Sequence, residues 1–213
     1  MEMQREVWNS IAEPWNHFRA ERLKEPLIAE FLKNARGNVL DLCCGSGRNF
    51  TRVDGRIFAL DFSENMLRYA GQKALKDGIN VSFVNADASA IPIKDESIDC
   101  VVFIASLQCV EKRNECIREL SRVMKHGAEA LITIWNKDQP RFLFSKKESF
   151  VPWRSKGKTY MRYYYLFTKK ELKAFLEANG FEIVKITGSS DKVFKLFPKN
   201  IIAIVRKGSY RRK

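Results

Sequence analysis

The sequence predicts an α/β fold: a largely parallel sheet covered by helices on both faces. Two observations carry that prediction. Apolar runs of strand length alternate with stretches of helical periodicity along the first two thirds of the chain. Two of those runs close on a carboxylate, Asp41 and Asp61, and the first is followed at once by a loop containing Gly45 and Gly47. A chain of 213 residues suits one domain with a sizeable core and a modest insertion.

In chain order, Val7, Ile11, Trp15 and Phe18 recur at three- or four-residue spacing and predict a helix, and Pro26 opens a second one running to Leu32. Gly37 is expected to end that helix. The first strand closes at Asp41 and the second, Ile57 to Leu60, leads into Asp61. Ser63 is placed to cap a helix whose inner face carries Met66, Leu67 and Ala70. Val81–Val84 alternates like a strand, Ile98–Ile104 is an apolar strand, and Cys116 to Met124 reads as a helix closed by Gly127. Ala130 to Trp135 is a further strand. After it the rhythm breaks for roughly thirty residues, longer than an ordinary connection and therefore a candidate functional segment. Thr168 then caps a helix through Ala178, ended by Asn179-Gly180. Phe181–Ile186 and Ile201–Val205 have strand composition.

The net charge of +13 is unevenly distributed. Residues 1–36 are neutral and residues 37–136 carry −1, whereas residues 137–173 carry +8 and residues 174–213 carry +6. Residues 141–165 mix these bases with Phe142, Phe144, Phe150, Trp153, Tyr160, Tyr163, Tyr164 and Tyr165. Cations neutralise phosphates and aromatic faces stack on unpaired bases, so this mixture points to RNA. Five cysteines with no C-x-x-C pair argue against a disulfide framework or an internal metal site and for a reducing cytoplasm. No apolar run reaches the length of a membrane span, and the charged N-terminus lacks a signal pattern.

Ligands of open α/β sheets bind beyond the carboxyl ends of the strands. Asp41, the Gly45/Gly47 loop, Asp61, Asp87 and Ile104–Gln108 all fall at such ends. A strand-end carboxylate after a glycine turn can accept both hydroxyls of a ribose. This spacing resembles the S-adenosylmethionine (SAM) methyltransferases with a Rossmann-like core, whose Asp-x-Gly-x-Gly-x-Gly pattern has Cys43 and Asn49 here in place of two glycines. The resemblance implies a seven-stranded sheet completed by the last two strands as an antiparallel pair. It implies that Asp61 holds the ribose, that Phe62 and Met66 flank the adenine, and that Asp87 contacts its amino group. Ala88 and Ile104 border the same site, and the Asp41 loop with Cys43, Gly45 and Gly47 faces the methionine part.

A closer resemblance rests on Trp8-Asn-Ser-Ile-Ala12 with Trp15 and Arg19, Thr133 to Gln139, Phe150-Val-Pro-Trp153 and Arg162-Tyr-Tyr-Tyr-Leu-Phe167. Together they look like the tRNA methyltransferases that esterify 5-carboxymethyluridine at wobble position 34. Gln108-Cys109 stands where members of that family often carry two histidines. On this reading residues 1–213 form a single methyltransferase domain with N-terminal helices at 1–36 and a basic aromatic insert around 137–167. Arg19 and Arg162 are candidates for holding the uridine substituent or a nearby phosphate. Trp135 and Tyr163 are candidates to stack on a flipped-out base, and Gln108 lies beside them at the reacting centre. Lys156 and Lys158 are candidate phosphate contacts. The family implies the tRNA anticodon loop as substrate and a small zinc-binding activator as partner, for which Val81–Val84 is a plausible docking edge. No general base is expected, because a carboxylate nucleophile with an ordinary pKa of about 4 is already ionised at neutral pH. Two alternatives remain open: a small-molecule methyltransferase acting on a quinone or lipid, and a SAM- and RNA-binding protein without catalysis.

Overall fold

Seven strands of the computed structural model form one sheet: β1 (Arg36–Leu42), β2 (Asp54–Asp61), β3 (Val81–Asn85), β4 (Ile98–Ile104), β5 (Met124–Trp135), β8 (Phe181–Gly188) and β11 (Asn200–Lys207). Their order across the sheet is β3-β2-β1-β4-β5-β11-β8. The structure describes residues 2–19, 24–193 and 196–208. β3, β2, β1, β4 and β5 run parallel to one another, and β11 lies antiparallel between β5 and β8. The expected antiparallel pair is therefore present, and β3 is an edge strand.

Alternation along each strand sends neighbouring residues to opposite cores. Leu40 and Leu42 face the helices α4 (Arg113–Val123) and α5 (Lys169–Ala178), packing with Ile117, Leu120, Leu172 and Leu176. Val39 faces α2 (Pro26–Asn34) through Ile28 and Leu32. Ala59 of β2 meets Ala70 and Ala74 of α3 (Glu64–Asp77). Both sheet faces are covered, as the apolar runs required. Ser63 caps α3 by accepting the Met66 amide, and Thr168 and Glu171 form a reciprocal capping box at the start of α5.

Two helix ends differ from the expectation. α2 stops at Asn34, and Gly37 lies inside β1 with φ +69°. A Cβ there would come within 2.5 Å of the Asp99 carboxylate, which accepts the amide of Asn38, so this glycine serves a close approach rather than a helix end. Likewise α4 ends at Val123, and Met124 is already extended and paired with Ile98. Gly127, at φ +76°, sits in the irregularity that shifts the β4–β5 register before Cys100 meets Glu129.

The segment after Trp135 is not irregular. Residues Glu148–Ser155 (β6) and Lys158–Tyr165 (β7) form an antiparallel hairpin closed by Lys156 and Gly157, both at positive φ. Aromatic residues occupy both faces of β7, so no apolar–polar contrast marks it as a strand. Two short strands, β9 (Lys192–Val193) and β10 (Phe197–Pro198), pair just before β11 in sequence. Helix α1 (Glu2–Phe18) joins the hairpin to the sheet domain. Its Asn9 accepts a hydrogen bond from Ser63 Oγ at 2.7 Å and receives Asn65 Nδ2 on its carbonyl at 3.1 Å. Its Gln4 binds the hairpin, accepting the Tyr163 amide at 2.9 Å and donating to Met161 O at 3.1 Å. Among the described residues no helix is long and apolar enough to cross a membrane.

Candidate active site

A cleft of about 1100 Å³, counting its open mouth, lies over the carboxyl ends of β1, β2 and β4, between them and α1 with the hairpin. Two strand exits are bent in the same unusual way. Cys43 and Ala105 both have φ +55°, a left-handed conformation that costs a residue with a side chain about 1–2 kcal/mol. Hydrogen bonds hold both bends: Ala105 N donates to Thr133 Oγ1 at 2.9 Å, and Ser106 Oγ donates to Ile104 O at 2.9 Å and Cys43 O at 3.4 Å. The turn lets the backbone of both loops line the cleft.

On the cofactor side, Asp61 is buried and its carboxylate accepts Gly45 N and Ser63 N, each at 2.9 Å. Burial raises its pKa to about 6 against these backbone donors. Asp61 lines the cleft, and a carboxylate has room for acceptors beyond these bonds, which suits a pair of ribose hydroxyls. Gly45 has open space where a Cβ would stand, so a ligand can approach its backbone. Cys43, Phe62, Met66, Asp87, Ala88 and Ile104 line the same side. Asp87 also caps its own loop, accepting from Ser89 N at 2.8 Å and Ser89 Oγ at 2.6 Å. Arg122 and Glu119 of α4 pin that loop through the backbone of Ile91 and Ile93. The Cys43 thiol is pushed well up by burial and stays protonated.

Two expected cofactor residues lie elsewhere. Asp41 points to the Val39 face of β1, into a smaller cavity walled by Leu32, Val39 and Phe50, because period-two alternation fixes its side. Burial pushes its pKa to about 8. Gly47 does not line the cleft either: its φ is +77° and a Cβ would meet the Phe50 ring at 2.5 Å. In their place the cleft receives Arg48, which the pattern does not single out, and Asn49, which stands where the pattern has a glycine. Their signal was chemical type within the glycine loop, which spacing alone does not reveal.

The opposite wall is aromatic and cationic. Trp135 stacks on Tyr164 at 4.5 Å and on Phe142 at 5.9 Å, with the Arg141 guanidinium 4.7 Å from its ring centre. Tyr164, not Tyr163, lines the cleft. Strand alternation turns Tyr163 to the other face of the hairpin, where its hydroxyl accepts from Arg113 and its ring meets Phe150. Arg19 lines the cleft, packed on Trp15 and Phe18, and burial lowers its pKa. Arg162 is buried behind Tyr164 rather than in the cleft. Trp8, Trp15, Trp153 and Tyr164 surround it at 5.2–5.9 Å, and its Nη1 donates to the Tyr164 hydroxyl at 3.0 Å. Among the residues that line the cleft it contacts Trp8, Trp15 and Tyr164. Gln108 is buried and fixed by donation to Ala105 O at 2.9 Å, which leaves its Oε1 without a partner. Lys156 is committed to Glu13 at 2.7 Å, while Lys158 is exposed. His126 is bonded to Glu96 away from this wall, and no histidine lines the cleft.

Residues 40–132 match the family model described as Methyltransferase domain. The ubiquinone/menaquinone biosynthesis C-methyltransferase UbiE of Pseudomonas paraeruginosa is 31% identical over 160 residues, covering 68% of this chain and 62% of the relative. The chain thus spans less than two thirds of the length of that relative. A SAM-dependent methyltransferase from Aquifex aeolicus superposes with a TM-score of 0.64 at 19% identity, covering 85% of this chain and 87% of that one. A complex between the Haloferax volcanii Trm112 methyltransferase activator and a candidate methyltransferase gives a TM-score of 0.73 at 14% identity, covering 99% and 100%. Together with the strand-end geometry, the domain match and these neighbours support SAM as the cofactor of the cleft. The chain has the class I SAM-dependent methyltransferase fold, with a methyltransferase-domain signature across its cofactor half.

Proposed function

We propose that this chain is a SAM-dependent methyltransferase that forms a methyl ester on the 5-carboxymethyl group of wobble uridine 34 in tRNA. One observation carries the reading. Arg19 lines the cleft and Arg141 lies against the Trp135 ring of the Trp135–Tyr164 stack, and neither has a carboxylate partner among the described residues. Partly buried cations left unpaired call for an anionic ligand. The stacked rings offer a flat face for a base.

SAM supplies a methyl group already activated by its sulfonium. The chain's own task is alignment: Arg19 draws the carboxylate into the cleft, and Tyr164, held by Arg162, sets the wall against which the base lies. No proton has to leave the nucleophile, which agrees with a cleft that no histidine lines. The exposed cations of the hairpin, among them Arg154 and Lys158, suit the anticodon backbone. A small zinc-binding activator would add to the free edge of β3, beside exposed Phe83 and Leu75, in the cytoplasm.

The likeness to UbiE favours a second reading, methylation of a quinone-type ring carbon. That chemistry requires removal of a phenolic proton whose ordinary pKa is about 10, and an apolar ring gives Arg19 and Arg141 no anionic partner. The deciding experiment incubates the chain, co-expressed with an activator, with radiolabelled SAM and three acceptors. These are tRNA carrying 5-carboxymethyluridine, unmodified tRNA and a demethylated quinol. Label appearing as an alkali-labile ester on the first alone supports the proposal. Label on the quinol overturns it in favour of the second reading, and SAM binding without transfer to any acceptor would make the chain a binding protein.

A further inference from the structure

The turn that follows Trp135 holds one aromatic ring against the cleft wall and offers another to water. Phe142, at the end of the short helix Pro140–Phe142, is buried and stacks on Trp135 at 5.9 Å. Two residues further on, Phe144 is 97% exposed, and Leu143 between them is exposed as well. The backbone that presents Phe144 is fixed. Buried Gln139 donates through Nε2 to Asn136 O at 3.0 Å and Lys199 O at 2.8 Å. Phe142 N donates to Gln139 O at 2.9 Å and Ser145 N to Phe142 O at 3.0 Å. Residues 137–147 carry four bases against one acid. Arg141, on the Trp135 ring, and exposed Lys146 flank Phe144, and neither has a carboxylate partner among the described residues.

We infer that Phe144 is a stacking platform for the nucleotide next to the one held in the cleft, with Arg141 and Lys146 on the adjoining phosphates. The inference rests on the tRNA reading of the cleft and adds to it a contact outside the cleft. Two residues of chain span at most about 7 Å, so Phe144 stands just beyond the wall that Trp135 and Phe142 form. A base drawn out of its stack leaves its neighbours without a partner on one side. An aromatic face restores that contact for any base, because every base has a π-face, and a rigid turn presents it at little cost in ordering. Cations on either side then meet the backbone that such a nucleotide brings with it. A lipid surface is a poorer match, since binding there buries a broad apolar face. Leu143 and Phe144 are the large apolar side chains that this turn exposes.

The test titrates a fluorescent anticodon stem-loop carrying 5-carboxymethyluridine at position 34 into the full chain. The chain is saturated with S-adenosylhomocysteine, the product left when SAM gives up its methyl group. Phe144→Leu keeps an apolar side chain but loses the π-face, and should weaken stem-loop binding at least about tenfold. Phe144→Trp should bind within about twofold of the wild type, or more tightly. The two nucleotides flanking position 34 are then made abasic, one at a time. At one of them the wild type should lose about as much affinity as Phe144→Leu does, and Phe144→Leu should lose nothing further. S-adenosylhomocysteine affinity within about twofold in both variants shows that each is folded. Wild-type binding by Phe144→Leu, or losses that multiply at both abasic positions, would overturn the assignment alone, leaving methylation of the stem-loop intact. Phe144-dependent binding to anionic phospholipid vesicles, with the stem-loop unaffected, would make the turn a lipid anchor instead. A wild type that neither binds nor methylates the stem-loop overturns the tRNA reading and this inference with it.

Discussion

The two walls of the cleft follow opposite electrostatic rules. The cofactor wall, at the ends of β1, β2 and β4, comes from the half of the chain with a charge of −1, and its ligand groups are a carboxylate, backbone donors and small side chains. The opposite wall, built by α1, Trp135 at the end of β5 and the β6–β7 hairpin, is made of indole, phenol and guanidinium groups, and among the described residues Arg19 and Arg162 have no carboxylate partner. The first wall is set by sheet topology and will recur wherever that sheet does. The second is an addition tied on through Gln4 and Asn9, so it can change without disturbing the sheet. The cofactor is therefore readable from the fold, while the acceptor must be read from the addition.

Substitutions should separate the walls. The largest effect is expected at Arg19, where Arg19→Ala removes the cation proposed to meet the carboxylate. Its kcat/KM on carboxymethylated tRNA should fall about 100-fold, roughly 2.7 kcal/mol, with S-adenosylhomocysteine affinity within about twofold. A parallel loss of cofactor binding would show that the two walls are not independent. On the other wall, Asp61→Ala should weaken S-adenosylhomocysteine by about 2 kcal/mol, near 30-fold, because two charge-assisted hydroxyl contacts vanish. Calorimetry showing unchanged affinity would remove Asp61 from the site.

A smaller loss is expected at Arg162, which acts through Tyr164. Arg162→Lys keeps the charge but not the fork, and single-turnover methylation should slow about tenfold. Tyr164→Phe should slow it similarly, and the double variant should be no slower than either one, since both remove the same Nη1–hydroxyl contact. Additive losses would return Arg162 to a direct role in the cleft.

The pH dependence of stability sharpens the comparison on the cofactor side. Asp41 and Asp61 have pKa values raised to about 8 and about 6, above an unfolded value near 3.8. The native state therefore keeps protons that the unfolded chain releases, and this contribution to stability is lost as pH rises from about 4 through these values. Asp41→Asn should melt several degrees above the wild type at about pH 9 and converge with it near pH 4, each kcal/mol being worth about 2–4 °C in a domain of this size. A calorimetric melting series in which the two curves stay parallel would refute the buried, neutral carboxyl. The smallest effect belongs to the hairpin surface. Lys158→Glu should reduce the slope of log tRNA affinity against log salt by about 0.7 or more and leave cofactor binding unchanged. Lys156, paired with Glu13, is the weaker choice for that measurement.

The sequence by itself determined the sheet and the cofactor edge. Apolar runs ending in Asp61 and Ile104, the Ser63 and Thr168 caps and the Gly45 turn are local signals, because alternation, capping and left-handed backbone depend on residues a few positions apart. Tertiary structure alone decided the rest. The β6–β7 hairpin escaped notice because its strands are aromatic on both faces, and one step of alternation exchanged Tyr163 for Tyr164 in the cleft. Asp41 turned to the rear by the same rule, while Arg48 and Asn49 line the cleft. Arg162 could not be read from its neighbours in sequence, since the indoles that enclose it come from α1 and β6, with Trp8 near the opposite end of the chain. Which face a side chain takes is a local matter, but what waits for it there is set by the packing of distant elements.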